Sequence, residues 1–157
     1  MFWAYESYYH LHLVFDAGLQ LFYVAMSVYG VYRWLYGGVD GTAKPITSMS
    51  SLEHAVAIAS GTALSALLLF SSRYFDQLNF QFLDATTTAF LVVGTYYLIE
   101  RKLESWVYLV ICDVIYIYIY SQVGAYLFVG IMVLYIGFGI AGYRSWRNLM
   151  DSSPMPS

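Results

Sequence analysis

Five long apolar stretches limit the fold of this chain more than any other feature of its sequence. They are Leu13–Tyr36, Leu52–Ser72, Leu83–Ile99, Ser105–Ser121 and Tyr126–Tyr143. Each approaches or exceeds the ~20 residues that an α-helix needs to cross the hydrocarbon core of a bilayer. The backbone finds no water to bond in that core, so a single apolar stretch crosses it as a helix. The sequence therefore predicts an all-α integral membrane protein with about five transmembrane helices.

The composition supports this class. Charged residues make up 11% of the sequence, against about a quarter in a soluble domain. The net charge is −3 and no block of Lys or Arg is present, so the chain lacks the basic patch that nucleic-acid binding requires. Cys112 is the single cysteine and has no partner for an intrachain disulfide. We expect a single transmembrane domain over residues 1–157.

The basic residues predict the orientation of the helices. Six of them fall near the ends of the first, third and fifth stretches, and one falls on the opposite side, namely Arg33, Lys44, Arg101, Lys102, Arg144 and Arg147 against Arg73. Lys and Arg concentrate in cytoplasmic loops. The sequence therefore predicts a cytoplasmic C-terminus and an N-terminus outside.

Two distant stretches share a pattern that indicates an internal repeat. The pattern joins a tyrosine, a glycine and a tryptophan at equal spacing, as Tyr23, Gly30 and Trp34 in the first stretch and as Tyr135, Gly142 and Trp146 in the last. Residues 83–147 then form a three-helix repeat, residues 13–36 belong to the first repeat, and residues 52–72 are a linker helix. The equivalent of Asp113 falls at Met1, so we expect part of the first repeat to be missing. Coincidence between aromatic-rich membrane helices is the alternative.

Asp113 is the most informative single residue. It lies near the middle of an apolar stretch, where an ionisable side chain is costly and usually functional. Helical spacing places Trp106, Asp113, Tyr116 and Tyr120 on one stripe. A carboxylate among aromatic rings suits a small organic cation, because tyrosine offers ring faces and hydroxyls. The alternative is a structural aspartate bonded to a neighbouring helix.

Two other helices carry further candidates for substrate binding. Asp84, Thr87, Thr88 and Thr95 share a stripe of the third helix, and Gln20 and Tyr23 lie on one side of the first. Asp84 is equally well explained as a helix N-cap, and Gln20 by an interhelical hydrogen bond. The threonines often bond their own backbone instead.

Small residues at regular spacing predict where helices pack closely. They are Ala57, Gly61 and Ser65 in the second helix, and Gly130, Gly137 and Ala141 in the fifth.

The same sequence resembles the PnuC family of bacterial vitamin transporters. The resemblance rests on residues of the fourth and fifth helices and on parts of the third and first: Glu104, Trp106, Asp113, Tyr116, Tyr120, Gly124, Tyr135, Gly142 and Trp146, with Asp84, Thr87, Thr88, Arg101, Lys102, Leu19, Gln20, Tyr23, Gly30 and Trp34. It covers most of residues 13–36 and 83–147.

The resemblance implies seven helices arranged as three, one and three in the bacterial inner membrane. It also implies transport of nicotinamide riboside by facilitated diffusion, with a cytoplasmic kinase trapping the vitamin. No cofactor or metal is expected, and a homo-oligomer is left open.

Two positions depart from the family pattern. Leu109 replaces the second tryptophan of its Trp-x-x-Trp motif, and Thr95 replaces a glutamine, which makes Thr95 the best threonine candidate. The alternatives are therefore thiamine or another vitamin, a nucleoside, or a truncated protein that transports nothing. We do not expect an enzyme, because no catalytic constellation is present.

Overall fold

A computed structural model describes residues 24–38, 41–72 and 81–152 of the chain. The chain divides into two compact units, Met1–Lys44 and Pro45–Ser157. In the first unit a helix, α1, covers residues 24–36 of the described part. The backbone N–H of Lys44 donates to the carbonyl of Trp34 over 3.1 Å, which folds the segment after α1 back onto the helix end. The remainder of the predicted stretch Leu13–Tyr36 lies outside the described residues.

The second unit contains four further helices. They are α2 Ser51–Ser72, α3 Gln81–Ile99, α4 Ser105–Gln122 and α5 Tyr126–Ser152. All four are long and apolar enough to cross a membrane. Consecutive helices pack on each other, α2 on α3, α3 on α4 and α4 on α5. The predicted all-α membrane fold is confirmed, whereas the three-one-three arrangement and the single domain stay predictions.

Helix α5 ends later than its predicted end at Tyr143. It continues to Ser152, because neither glycine nor proline interrupts residues 144–152 and the next proline is Pro154. The predicted apolar stretch corresponds only to the part of α5 that is apolar enough for the hydrocarbon core. Twenty residues from Tyr126 reach about Trp146, so the last turns of α5 extend beyond the bilayer core.

Helices α2 and α3 pack through the small-residue face that the spacing predicted. Ala57 is fully buried. A Cβ at Gly61 would lie 2.8 Å from the ring of Phe90 on α3. The Ser65 hydroxyl bonds the hydroxyl of Thr86 over 2.9 Å. The absence of larger side chains lets the two helices approach closely, as is common in membranes.

Helices α4 and α5 use different glycines from those expected. A Cβ at Gly139 would lie 2.6 Å from Val110, and one at Gly142 would lie 2.6 Å from the ring of Trp106. No described residue lies within 4 Å of a Cβ built at Gly130 or Gly137. Spacing alone therefore identified the helix as glycine-rich but not the side that α4 occupies.

The segment before α2 is fastened to the turn between α3 and α4. Thr47 forms an isolated parallel β-bridge with Lys102. The Glu104 carboxylate accepts a hydrogen bond of 2.7 Å from the backbone N–H of Met49. The Lys102 ammonium lies 2.7 Å from a carboxylate oxygen of Glu53. We call this set of contacts the clamp; it joins the start of α2 to the α3–α4 turn.

Three helix ends have recognisable capping motifs. Ser50 and Glu53 form a capping box at the start of α2, each side chain accepting from the other's backbone N–H. At the ends of α3 and α4, Arg101 and Gly124 adopt positive φ, 56° and 74°. In both turns the next N–H donates to a carbonyl five residues back, as in a Schellman motif. Glycine is the usual residue at such a position, so Arg101 is the unusual one.

We expect Arg101→Gly to be more stable than Arg101→Ala. Both changes remove the arginine side chain, but only glycine relieves the left-handed backbone, by about 1 kcal/mol. Thermal unfolding of both variants in the same detergent measures the difference. An alanine variant as stable as the glycine variant would show that the turn carries no strain.

We also expect Gly142→Ala to destabilise the protein by about 1–3 kcal/mol, because the new methyl group forces the Trp106 ring out of its place. Gly137→Ala is the matched control on the same helix. It should be neutral or slightly stabilising, since alanine is the better helix former. Equal melting temperatures for the two variants would contradict the close packing of α4 on α5.

Candidate functional site

The predicted stripe on α4 extends over most of the length of the helix. Trp106 and Tyr120 are separated by roughly 21 Å along the axis, with Asp113 midway between them. One small molecule cannot contact both ends of this stripe at once. The stripe is therefore described in three parts, at the α3–α4 turn, at mid-helix and at the opposite end.

At the end opposite the α3–α4 turn, polar and aromatic groups of three helices converge. The hydroxyls of Thr88 and Tyr116 are 2.8 Å apart. The rings of Tyr116 and Tyr120 stack at 5.5 Å between centroids, and Tyr120 stacks in turn on Phe128 at 5.2 Å. Asp84 interacts electrostatically with the hydroxyls of both tyrosines. These five residues, Asp84, Thr88, Tyr116, Tyr120 and Phe128, form what we call the tyrosine cluster.

The tyrosine cluster combines ring faces with a carboxylate, which is an arrangement that attracts flat cationic molecules. It brings together three of the predicted site residues, namely Asp84, Tyr116 and Tyr120. Thr88 was visible in the sequence, one helical turn after Asp84. Phe128 was not, because nothing in its local sequence distinguishes it from other apolar residues of α5.

Asp113 stands alone in the middle of α4. Only 7% of its surface is exposed. Its carboxylate forms no hydrogen bond or ion pair with any residue that the structure describes. The adjacent Cys112 is also buried, and its thiol donates weakly to the carbonyl of Thr87 on α3. A buried carboxylate without a partner is costly, so the position favours a positively charged ligand.

Trp106 lies in a packing contact at the turn end of the stripe. Its ring meets Trp146 of α5 edge to face, with centroids 5.4 Å apart. The guanidinium of Arg101 lies 5.7 Å from the Trp146 centroid, within cation–π range. No described residue accepts a hydrogen bond from the buried indole nitrogen of Trp106. A role for Trp106 in substrate binding stays a prediction.

No contact with Asp113 is described for the remaining candidates. The Thr95 hydroxyl donates to the carbonyl of Leu91 in its own helix over 2.8 Å, which is the backbone bond considered as an alternative. Leu109 packs at Gly94 of α3, where a Cβ would lie 3.1 Å from the leucine. Gln20 and Tyr23 lie outside the described residues. In the described part of the chain, no three His, Cys, Asp or Glu side chains are grouped as metal ligands.

Comparison with known proteins identifies the family. A family model described as nicotinamide mononucleotide transporter matches residues 2–148. No curated protein matches the chain significantly. The crystal structure of the vitamin B3 transporter PnuC has the same fold, with a TM-score of 0.66 at 16% identity, and the match covers 84% of this chain and 60% of that one. The chain thus spans less than two thirds of that transporter. Because the family model extends over most of the sequence, the chain belongs to the nicotinamide mononucleotide transporter family.

Proposed function

We propose that this membrane protein transports nicotinamide riboside, or a closely related vitamin, by facilitated diffusion. The observation that carries the proposal is the unpartnered carboxylate of Asp113. Family membership supports transport of a nicotinamide-related molecule, and the solved relative is a vitamin B3 transporter. Among nicotinamide-related molecules, the negative charge of Asp113 favours those that are cationic.

The pyridinium ring of nicotinamide riboside is a permanent cation. In the low dielectric of a helix bundle, its charge would offset the charge of Asp113 far better than water can at that depth. Tyr116 lies one turn along α4 from Asp113, about 4.5 Å in rise. A ring held at Asp113 is therefore within reach of the Tyr116 face or hydroxyl. The two residues together supply charge and stacking for one small molecule.

A phosphate group is disfavoured at the same place. Helices α3 and α4 contain no Lys or Arg, so a mononucleotide would bring its phosphate toward Asp113 and Asp84 without a compensating cation. Like charges in a poorly solvated site repel strongly. We therefore favour the riboside over the mononucleotide. Phosphorylation by a cytoplasmic kinase would then keep the product from returning through the protein.

Facilitated diffusion is supported by the distribution of ionisable groups. In α3 and α4, Asp113 is the only ionisable carboxylate at mid-helix, and Asp84 lies within the first turn of α3. A chain of titrating side chains across the bundle would be expected of a proton-coupled transporter. The proposed setting is the bacterial inner membrane, with the C-terminus and the basic residues of the α3–α4 turn in the cytoplasm.

Thiamine is the second candidate, and one observation favours it. Leu109 provides an aliphatic surface at Gly94 of α3, where the family pattern implies an indole ring. The thiazolium ring of thiamine is also a cation and would satisfy Asp113 equally well. A membrane protein that transports nothing is the remaining alternative.

We expect Asp113→Asn to reduce affinity for nicotinamide riboside by about 10- to 100-fold, the loss typical of one charge-assisted contact. Binding to purified protein and uptake into proteoliposomes measure this loss. Asp151→Asn, at an exposed aspartate of α5, is the matched control and should behave as wild type.

In the same liposomes, held at zero membrane potential because the riboside is a cation, internal riboside should rise to the external concentration and stop there, with or without a pH gradient. Accumulation beyond that level would refute facilitated diffusion. Thiamine in place of the riboside distinguishes the second candidate, and the mononucleotide should be transported poorly. Transport of none of the three would favour the non-transporting alternative.

We expect Tyr116→Ala to weaken binding of the transported cation by about 5- to 30-fold, because a ring face within a desolvated site is lost. Tyr118→Ala provides the control, since Tyr118 is on the same helix but 51% exposed. Tyr116→Phe keeps the ring and loses only the bond to Thr88, so its loss should be smaller. Equal effects at positions 116 and 118 would remove the tyrosine cluster from the site.

A further inference from the structure

A cavity lies between α4 and α5, and neither Asp113 nor any residue of the tyrosine cluster lines it. Its volume is about 200 Å³. It is lined by apolar side chains of both helices and by one cation: Trp106, Val107, Val110, Ile140, Tyr143 and Arg144. Val107 and Ile140 are each more than 40% exposed. The cavity is therefore an open apolar groove on membrane-spanning helices, with a guanidinium at one end.

The groove ends at the level of the membrane–water interface. A helix that enters the hydrocarbon at Tyr126 leaves it about twenty residues later, near Trp146. Trp106, in the first turn of α4, lies at the same level because it contacts Trp146. Tryptophan is enriched at this depth in membrane proteins. Arg144 is thus placed where lipid headgroups meet the chain, and Ile140, one turn away, lies within the acyl region.

Arg144 forms no ion pair or hydrogen bond with any described residue. A basic residue at a membrane interface is ordinarily explained by topology alone, since its charge extends toward water. That explanation does not account for the apolar groove that begins beside the guanidinium. An occupant of the groove needs an apolar chain and an anionic end, separated as they are in a phospholipid.

We propose that the groove between α4 and α5 binds an anionic phospholipid, with an acyl chain along Val107, Val110 and Ile140 and the headgroup phosphate at Arg144. Electrostatic attraction of a headgroup to one basic residue near the surface is worth about a fivefold preference over a zwitterionic lipid. The residues proposed to contact the lipid, Val107, Val110, Ile140 and Arg144, include neither Asp113 nor any member of the tyrosine cluster. Lipid binding can therefore be tested separately from transport.

The test is lipid competition followed by native mass spectrometry. The full chain is purified in detergent containing equal amounts of phosphatidylglycerol and phosphatidylcholine, and the retained lipids are counted. We expect about fivefold enrichment of phosphatidylglycerol on the wild type. Arg144→Gln should abolish the enrichment, and Arg144→Lys, which keeps the charge, should preserve most of it.

Two further variants make the result specific to the groove. Arg147→Gln removes the same charge three residues along α5, outside the lining of the cavity, and should retain the enrichment. Ile140→Trp fills the groove and should reduce the retention of both lipids. An equal loss in Arg144→Gln and Arg147→Gln would overturn the proposal in favour of a general basic interface. Absence of enrichment on the wild type, or a lipid-free dimer that covers the groove, would also overturn it.

Discussion

Every polar group of the backbone must find its hydrogen-bond partner within the protein wherever the chain passes through hydrocarbon. This requirement explains why the described spans are helices and why capping motifs satisfy the free backbone groups at three of their ends. The start of α2 is closed by a capping box, and the ends of α3 and α4 by Schellman turns. One of those turns accepts an arginine in a left-handed conformation. The Schellman turn after α3 therefore keeps its geometry although arginine is unfavourable in the left-handed conformation.

Close helix packing then determines which polar side chains are left without partners. Small residues bring α2 onto α3 and α5 onto α4, and Ser65 bonds Thr86 across the first of these interfaces. The buried hydroxyls of Thr87 and Ser105 donate instead to backbone carbonyls three or four residues earlier in the chain. Asp113 is buried by the same packing but is offered no donor by the described residues. The contrast between these two kinds of buried polar residue is the strongest physical argument for a ligand at mid-helix. A charged side chain within a membrane-spanning helix lowers the stability of the protein, so its presence is usually explained by a role in binding.

Sequence reasoning succeeded where a pattern is local and failed where it depends on a neighbouring helix. The apolar stretches predicted α2 to α5 to within a few residues, except the end of α5, where the helix outlasts the hydrocarbon. Helical spacing placed Tyr116 and Tyr120 on one face of α4, and their rings stack. It could not show that Phe128 stacks on Tyr120, that Trp106 packs on Trp146, or which glycines of α5 face α4. The positions of Gln20 and Tyr23 stay predictions.

The clamp has a mechanical consequence. It fastens the start of α2 to the α3–α4 turn through an ion pair and backbone hydrogen bonds, so these parts can rotate together but cannot easily separate. Helix α2 has 22 residues and is therefore roughly 33 Å long. A tilt of roughly 10° about the fastened end would displace the far end by about 6 Å. A rotation of this size near the turn would therefore move the other end of α2 by about the width of an aromatic ring.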